Sequence, residues 1–448
     1  MKPPLCLSLD EAASHPAFLA APAHYMALHA VVDDKGRYLH FDELRHRWPT
    51  TLVPILCWSM VKAARLSAQR ALIPLGQPLQ WGTWCATPQS HKAMALVDRH
   101  ATRAAMEYIT RQLGQAAHFN YLLNDLIEDE AISSSQLEGA ATTTLVAKDL
   151  LKRQRQPRTP DERMILGNYR MMKFAWEQRH APLSVKLIEE MHETGVTGID
   201  DDKYTPGQFR NHDQVVVQDG EGNTVHVPPP AAGLEERLQR LVVWVNAAPE
   251  NVEEQGYLHP LIRAISLHFA IGYEHPFRNG NGRVARALFY WSMFRSDYCA
   301  FRYIAISVLL KNAPVKYGRS YLHTETDDLD LTYFIEYQCG LIIRAVTQFT
   351  ETYTRSLADA QAFEHWRGNS GVYVHLNEHQ RALLQVARTG SATAFTAVTA
   401  KENLGCSYNT ASAALNGLVD LGLFVKVKRG REWVFSMADR SQIRQTWR

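Results

Sequence analysis

His275-Pro276-Phe277-Arg278-Asn279-Gly280-Asn281-Gly282-Arg283-Val284-Ala285-Arg286 carries the reading of the whole chain. It joins one titratable base, a glycine-rich turn and the pair Arg283 and Arg286. That is an inventory for gripping a polyphosphate and taking a proton from an attacking group. Upstream, Leu261, Ile262, Ile265 and Phe269 have helical spacing between His259 and Tyr273, with His259-Pro260 as the helix start. Downstream, Val284, Ala287, Leu288 and Trp291 fall at i, i+3, i+4 and i+7 and predict a second helix. Gly280 and Gly282 let the turn between them take positive φ and approach a ligand closely. The turn feeds a helix N-terminus, where unpaired N–H groups and the helix dipole favour a phosphate. Arg283 and Arg286 lie at i and i+3, on one face of that helix. An anion at the turn therefore meets backbone donors and two guanidinium forks. The bland alternative is a plain helix corner in which His275 only packs.

The run resembles the motif of the Fic family, H-x-F-x-[D/E]-G-N-G-R-x-x-R, at all but one of its constrained positions. Family members typically move the AMP part of ATP onto a Ser, Thr or Tyr hydroxyl of another protein. The resemblance implies that His275 is the general base on the target hydroxyl and that Phe277 packs into the core and fixes the loop. It implies that Gly280, Asn281 and Gly282 form an anion cradle, that Arg283 holds phosphates and that Arg286 grips the γ-phosphate. ATP is the implied substrate and Mg²⁺ the implied metal. Asn279 departs from the pattern, because the family carries an acidic metal ligand there. An amide oxygen is a neutral ligand, whereas Mg²⁺ prefers carboxylates and phosphates. A Fic fold whose transferase activity has decayed through Asn279 is therefore the serious competitor.

A second motif precedes the first. Phe119, Leu122, Leu123 and Leu126 have helical spacing, and the helix is expected to run through Ile132 and stop at Gly139. Ser134 through Gly139 resembles the family's inhibitory-helix pattern, [S/T]-x-x-x-E-[G/N]. Ser134 and Glu138, at i and i+4, face the same way. The resemblance implies that Glu138 reaches Arg286 and occupies the place of the γ-phosphate. Two other roles for Glu138 stay open: a solvated helix-end charge, and the positioning of water to remove AMP again.

Gly207-Gln208-Phe209-Arg210 leads into Val215–Val217, a turn at Asp219–Asn223 and Val225–Val227, which predicts a hairpin ended by Pro228-Pro229-Pro230. In the family such a flap aligns the target peptide by strand pairing, which supplies main-chain affinity without strong sequence demands. Tyr317 resembles an adenine-stacking aromatic; core packing is the equal alternative. His268 reads as a buried histidine behind the site.

Composition agrees with a soluble globular protein: 448 residues, 46% hydrophobic, 21% charged, net charge +2. No global field points to nucleic acid or membrane. The six cysteines are scattered without a metal-ligand spacing, which predicts reduced thiols. Met1 to His15 lacks the order of a signal peptide, and no apolar run has membrane-spanning length. A cytoplasmic protein with no membrane contact is expected.

The expected fold class is mainly α: a helical Fic-type bundle with a β-hairpin flap, plus a small C-terminal winged-helix domain. Residues 1–100 are expected to form an N-terminal helical region packing on the core, with a helix near Val53–Gln69 and a Pro/Gly-rich stretch at Pro74–Pro88. Residues 101–355 form the Fic domain, with the inhibitory helix near 120–139, and 356–375 a linker. In 376–448, helices are predicted at His379–Ala387, Phe395–Asn403 and Ser407–Leu421, with Ser407 as N-cap. Phe424–Lys428, a turn at Arg429–Arg431 and Trp433–Phe435 make the wing. This tail holds ten Lys+Arg against five Asp+Glu, a net +5. The helix from Ser407 has no Lys or Arg in its first turns, so it lacks the usual reader of guanine.

The leading expectation is a self-inhibited protein adenylyltransferase acting on a protein hydroxyl, its own included. The alternatives are a nucleotide-binding, DNA-associated regulator with a weakened Fic site, and a de-AMPylating hydrolase using Glu138. The expected partners are a target protein with an exposed Ser, Thr or Tyr, a second copy in a homodimer, and DNA in weak contact with the winged helix.

Overall fold

The computed structural model describes residues 2–113, 128–247, 257–389, 392, 394–430, 432–439, 442, 443 and 447. Helices dominate, as the periodicities require. Three short helices open the chain, α1 (Leu9–Ser14), α2 (Pro16–Ala20) and α3 (Pro22–Met26), followed by α4 (Phe41–Leu44) and the longer α5 (Pro54–Ala68). The helix expected at Val53–Gln69 is thus present, with Val53 as N-cap and Pro54 at its first position. The N-terminal region is not purely helical. Its Pro/Gly-rich stretch contains an antiparallel hairpin, β1 (Arg70–Leu75) and β2 (Gln80–Trp84). Glycine and proline set its turn, and tertiary contacts complete it: the backbone of Thr83 exchanges hydrogen bonds with Leu329 and Leu331.

The bundle follows with α6 (Pro88–His100), α7 (Arg103–Leu113), α8 (128–137), α9 (Thr144–Lys152), α10 (Pro160–Glu177) and α11 (Val185–Val196). Phe119, Leu122, Leu123 and Leu126 lie outside the described residues. The flap is a small antiparallel pair, β3 (Val217–Gln218) and β4 (Thr224–His226), shorter than expected and bulged. Next come α12 (Leu234–Asn246), α13 (Pro260–Glu274), α14 (Asn281–Arg295), α15 (Ile306–Lys311) and α16 (Pro314–Thr326).

The core is built on α13 and α14. Leu261, Ile262, Ile265, Phe269, Val284, Ala287, Leu288 and Trp291 are all buried. Almost every side chain of α14 is buried, polar and apolar alike, so this helix is wrapped on all sides. α10 and α11 cross closely at two glycines: a Cβ at Gly167 would lie 2.2 Å from the carbonyl oxygen of Gly195. That approach lets the Gly195 carbonyl reach the Arg283 guanidinium, which donates to it at 3.3 Å.

The expected linker at 356–375 is helical instead. α17 runs from Thr332 to Ser370, and Gly371 at φ 67° ends it. Leu357, Ala358, Ala360, Gln361 and Ala362 are strong helix formers, and the lone Gly368 costs only about 1 kcal/mol against alanine. Beyond it stand α18 (Glu378–Thr389), α19 (Ala397–Leu404), α20 (Tyr408–Asp420) and the hairpin of β5 (Phe424–Arg429) and β6 (Glu432–Met437). α19 starts two residues later than expected, because Phe395 bridges to Phe435 and Thr396 caps the helix. Ser407 caps α20, its hydroxyl accepting from the Thr410 N–H. A separate apolar core of Leu383, Leu415, Leu418, Phe424 and Phe435 closes this unit. Arg431 lies outside the described residues.

Candidate active site

The loop between α13 and α14 is fixed at both of its ends. His259 caps α13, its Nδ1 accepting from the Leu261 N–H. His275 ends that helix in the left-handed region, at φ 47° and ψ 59°. A non-glycine residue there is uncommon and strained. Arg210 offsets the strain: its guanidinium donates to the carbonyls of His275, Glu274 and Pro229, and its own N–H to the Pro276 carbonyl. Below the loop, Glu274 pairs with Arg237 at 2.7 Å, both side chains being buried. Phe277 is buried as expected.

His275 Nδ1 lies 3.2 Å from the Gly272 carbonyl. A carbonyl only accepts, so Nδ1 carries the proton and Nε2 keeps its lone pair. Burial pushes the imidazole pKa down to about 4. The ring is thus neutral near pH 7, with Nε2 free to accept a proton.

Gly280, at φ 84°, is the N-cap of α14. The Asn281 side chain does not face an anion. It accepts from the Phe277 N–H and donates to the Phe277 carbonyl, each at 2.8 Å, and so laces the loop shut. A cradle role falls to the backbone. At Gly282 a Cβ would lie 2.2 Å from a Glu138 carboxylate oxygen. The carboxylate therefore sits at the N-terminus of α14, where an anion is favoured.

Glu138 and Ser134 meet Arg286 from α8 and the turn after it. Arg286 donates to Glu138 Oε1 at 2.8 Å, to the Ser134 hydroxyl at 2.8 Å and to the Ser134 carbonyl at 3.1 Å. Gly139 takes φ 98° directly after Glu138. Burial alone raises the Glu138 carboxyl, but the adjacent guanidinium outweighs it and holds the carboxyl below its ordinary value. Burial likewise opposes the Arg286 charge, and Glu138 more than restores it. Arg286 Nη1 and Arg283 Nε and Nη2 are buried without a partner. These donors border the carboxylate's seat and fit an anion larger than a carboxylate. The Tyr204 ring lies 5.3 Å from the Arg283 guanidinium.

Tyr317 approaches this cluster from α16, but its hydroxyl is engaged 2.7 Å from His268 Nε2. His268 is buried, and burial lowers its pKa to about 3.

Asn279 does not fit a resident Mg²⁺. Its side-chain oxygen accepts the Gly280 N–H at 2.7 Å, and its carbonyl faces His192. The Glu138 carboxylate is held by Arg286. Among the described residues no group of three His, Cys, Asp or Glu side chains is arranged to hold a metal.

Sequence reasoning missed the role of Arg210 as a loop clamp and missed His192 and His226 altogether. His226, on the flap, lies 2.7 Å from Glu325 and 2.8 Å from the Tyr273 carbonyl. His192 lies on an apolar helix face, where nothing in the sequence separates it from an ordinary packed histidine.

A model of the Fic/DOC family matches residues 182–293, which run from α11 into α14. The protein adenylyltransferase Fic of Drosophila grimshawi is 28% identical over 211 residues, 46% of this chain and 38% of that protein. The protein of the same name in Drosophila yakuba is 32% identical over 116 residues, 26% of this chain and 21% of that protein. This chain thus spans well under half the length of these relatives. A solved Fic family protein from Desulfovibrio desulfuricans G20 aligns at 17% identity and a TM-score of 0.49, over 79% of this chain and 97% of that one. It is residues 182–293 of this chain, the stretch that holds the loop between α13 and α14, that match the Fic/DOC family model.

Proposed function

We propose that this chain is a protein adenylyltransferase held in check by its own Glu138. The observation that carries this reading is the Glu138 carboxylate seated on Arg286 at the N-terminus of α14, ringed by buried guanidinium nitrogens without partners. A carboxylate there occupies an anion site in the absence of nucleotide. When Glu138 leaves, Arg283, Arg286 and the backbone N–H groups of the α14 N-terminus receive the phosphates of ATP. His275 Nε2 takes the proton from a Ser, Thr or Tyr hydroxyl of the target. The freed oxygen attacks the α-phosphorus, the bond from that phosphorus to the bridging oxygen breaks, and pyrophosphate leaves. The protein supplies position and charge rather than covalent chemistry. Arg210 holds the carbonyl end of His275, and the flap beside it offers strand edges to a target peptide. The target is a protein, this chain's own surface included. No helix among the described residues is long and apolar enough to cross a membrane.

Incorporation of α-labelled ATP into the purified protein tests this. Label is expected to be faint in the wild type, at least tenfold stronger in Glu138→Gly, and absent from Glu138→Gly/His275→Ala. An unlabelled, folded Glu138→Gly protein with no label on added proteins overturns the reading. Adding Asn279→Asp, with and without Mg²⁺, shows whether restoring the acid restores metal use. Loss of label from a pre-labelled protein, dependent on Glu138, would mark AMP removal as the reaction instead. The C-terminal order of three helices and a hairpin supports a winged helix, and the exposed Lys426, Lys428 and Arg429 favour a DNA-contacting role for it. A mobility shift lost on Lys428→Glu/Arg429→Glu tests that second reading.

A further inference from the structure

His192 of α11 is buried against the catalytic loop. Its ring stacks on Phe277 with centroids 3.7 Å apart and planes 9° from parallel. Its Nε2 lies 3.0 Å from the Asn279 carbonyl, and its Nδ1 lies 3.2 Å from the Gly207 backbone nitrogen. A carbonyl can only accept and an amide N–H can only donate. The ring is therefore the neutral tautomer with its proton on Nε2: it donates to Asn279 and accepts from Gly207.

The two bonds act on the two strands of chain that shape the site. On one side, the peptide unit between Asn279 and Gly280 is gripped at both ends. His192 holds its oxygen, and the Asn279 side chain accepts its N–H at 2.7 Å. This peptide immediately precedes the α14 N-terminus, so its orientation decides where the next N–H groups point. On the other side, Gly207 begins the segment that carries Arg210, and Arg210 grips the carbonyl of His275. One imidazole thus sets the anion-binding turn and the clamp on the base together.

We propose that His192 is a positioning residue for nucleotidyl transfer: it orients the Asn279–Gly280 peptide and the Arg210 clamp without touching the nucleotide. This rests on the adenylyltransferase reading above. Asn279 also gains a purpose independent of metal, as the second latch on the same peptide.

The test separates hydrogen bonding from packing. In the Glu138→Gly background, His192→Phe keeps the stack on Phe277 and loses both bonds. His192→Gln places an N–H donor near the former Nε2 and loses the stack. His192→Phe is expected to lower kcat by roughly 10- to 100-fold, the cost of misplacing a reacting group by about an ångström, with KM for ATP changed less than threefold. His192→Gln is expected to stay within about threefold of its parent. Equal losses in the two variants, or full activity in His192→Phe, overturn the proposal, as does a His192→Gln protein that melts like its parent but loses kcat. If Glu138→Gly carries no label at all, the adenylyltransferase reading fails rather than this one. An activity-free readout then decides: imidazole ¹⁵N–¹H correlation spectra of the full chain, with the resonance assigned by its absence from His192→Gln. A proton on Nε2 and none on Nδ1 supports the assignment, and the opposite tautomer overturns it.

Discussion

At residue scale, the decisive property of His275, the base in the proposed reaction, is that burial keeps its imidazole neutral. An imidazole at its ordinary value of 6.5 would still be about a quarter protonated at pH 7, whereas burial brings His275 to about 4. The sign follows: deprotonation is complete well below pH 6.5 and is lost only as pH falls through about 4, and the proposed activity is expected to follow it. Removing Glu138 takes away a charge that raises this pKa, so Glu138→Gly moves the limb lower still. We expect kcat/KM of Glu138→Gly to stay flat from pH 8 to about pH 5.5 and to fall below that. An acid limb centred near 6.5 in a pH–rate profile would show that His275 is not the base, or that its burial is relieved in the free protein.

At the scale of the element, α8 is more than a carrier for Glu138. Its Glu130 is buried and accepts both the N–H and the hydroxyl proton of Ser307, which lies in the first turn of α15. That helix has no side-chain cap of its own. Gln136 accepts from Lys311 at 2.6 Å further along the same helix, and Asn168 of α10 donates to the Ala131 carbonyl. The proposed restraint on Arg286 would thus depend on how firmly α8 is docked. Glu130→Ala orphans the Ser307 N–H, at a cost of about 1–3 kcal/mol. The expected result is a lower melting temperature together with raised self-labelling, although Glu138 is intact. A destabilised protein with wild-type labelling would mean that Arg286 holds α8 unaided. Elements were the most legible level in the chain. The helices flanking the loop, the capped α20 and the β5–β6 hairpin follow from apolar spacing, Ser407 and Gly430. The passage expected as a linker at 356–375 did not, because the helix formers before Gly368 carry the helix on to Ser370, where Gly371 ends it.

At the scale of the whole molecule, the N-terminal region is tied to the bundle by buried charge. Lys62 of α5 pairs with Asp327 at 2.9 Å, their side chains 7% and 4% exposed, and Tyr333 donates to the same carboxylate at 2.7 Å. Arg65 reaches Tyr333 and the carbonyls of Val31 and Leu39. Deleting one partner of a buried pair leaves the other uncompensated, so Lys62→Met is expected to cost about 3–5 kcal/mol in urea unfolding. A loss below about 1 kcal/mol would mean that Tyr333 alone satisfies Asp327. By itself, the sequence determined the loop, its flanking helices and the resemblance of residues 182–293 to the Fic/DOC family, because those are written in contiguous residues whose spacing and turn chemistry are local. The reach of Glu138 to Arg286 was expected from the resemblance; only the tertiary structure decided that Asn281 laces the loop, that the Glu138 carboxylate lies over Gly282, and that His192 and Arg210 brace the loop from outside. Those contacts join residues far apart in the chain, and a lone histidine or arginine carries no local pattern that says which carbonyl it will meet.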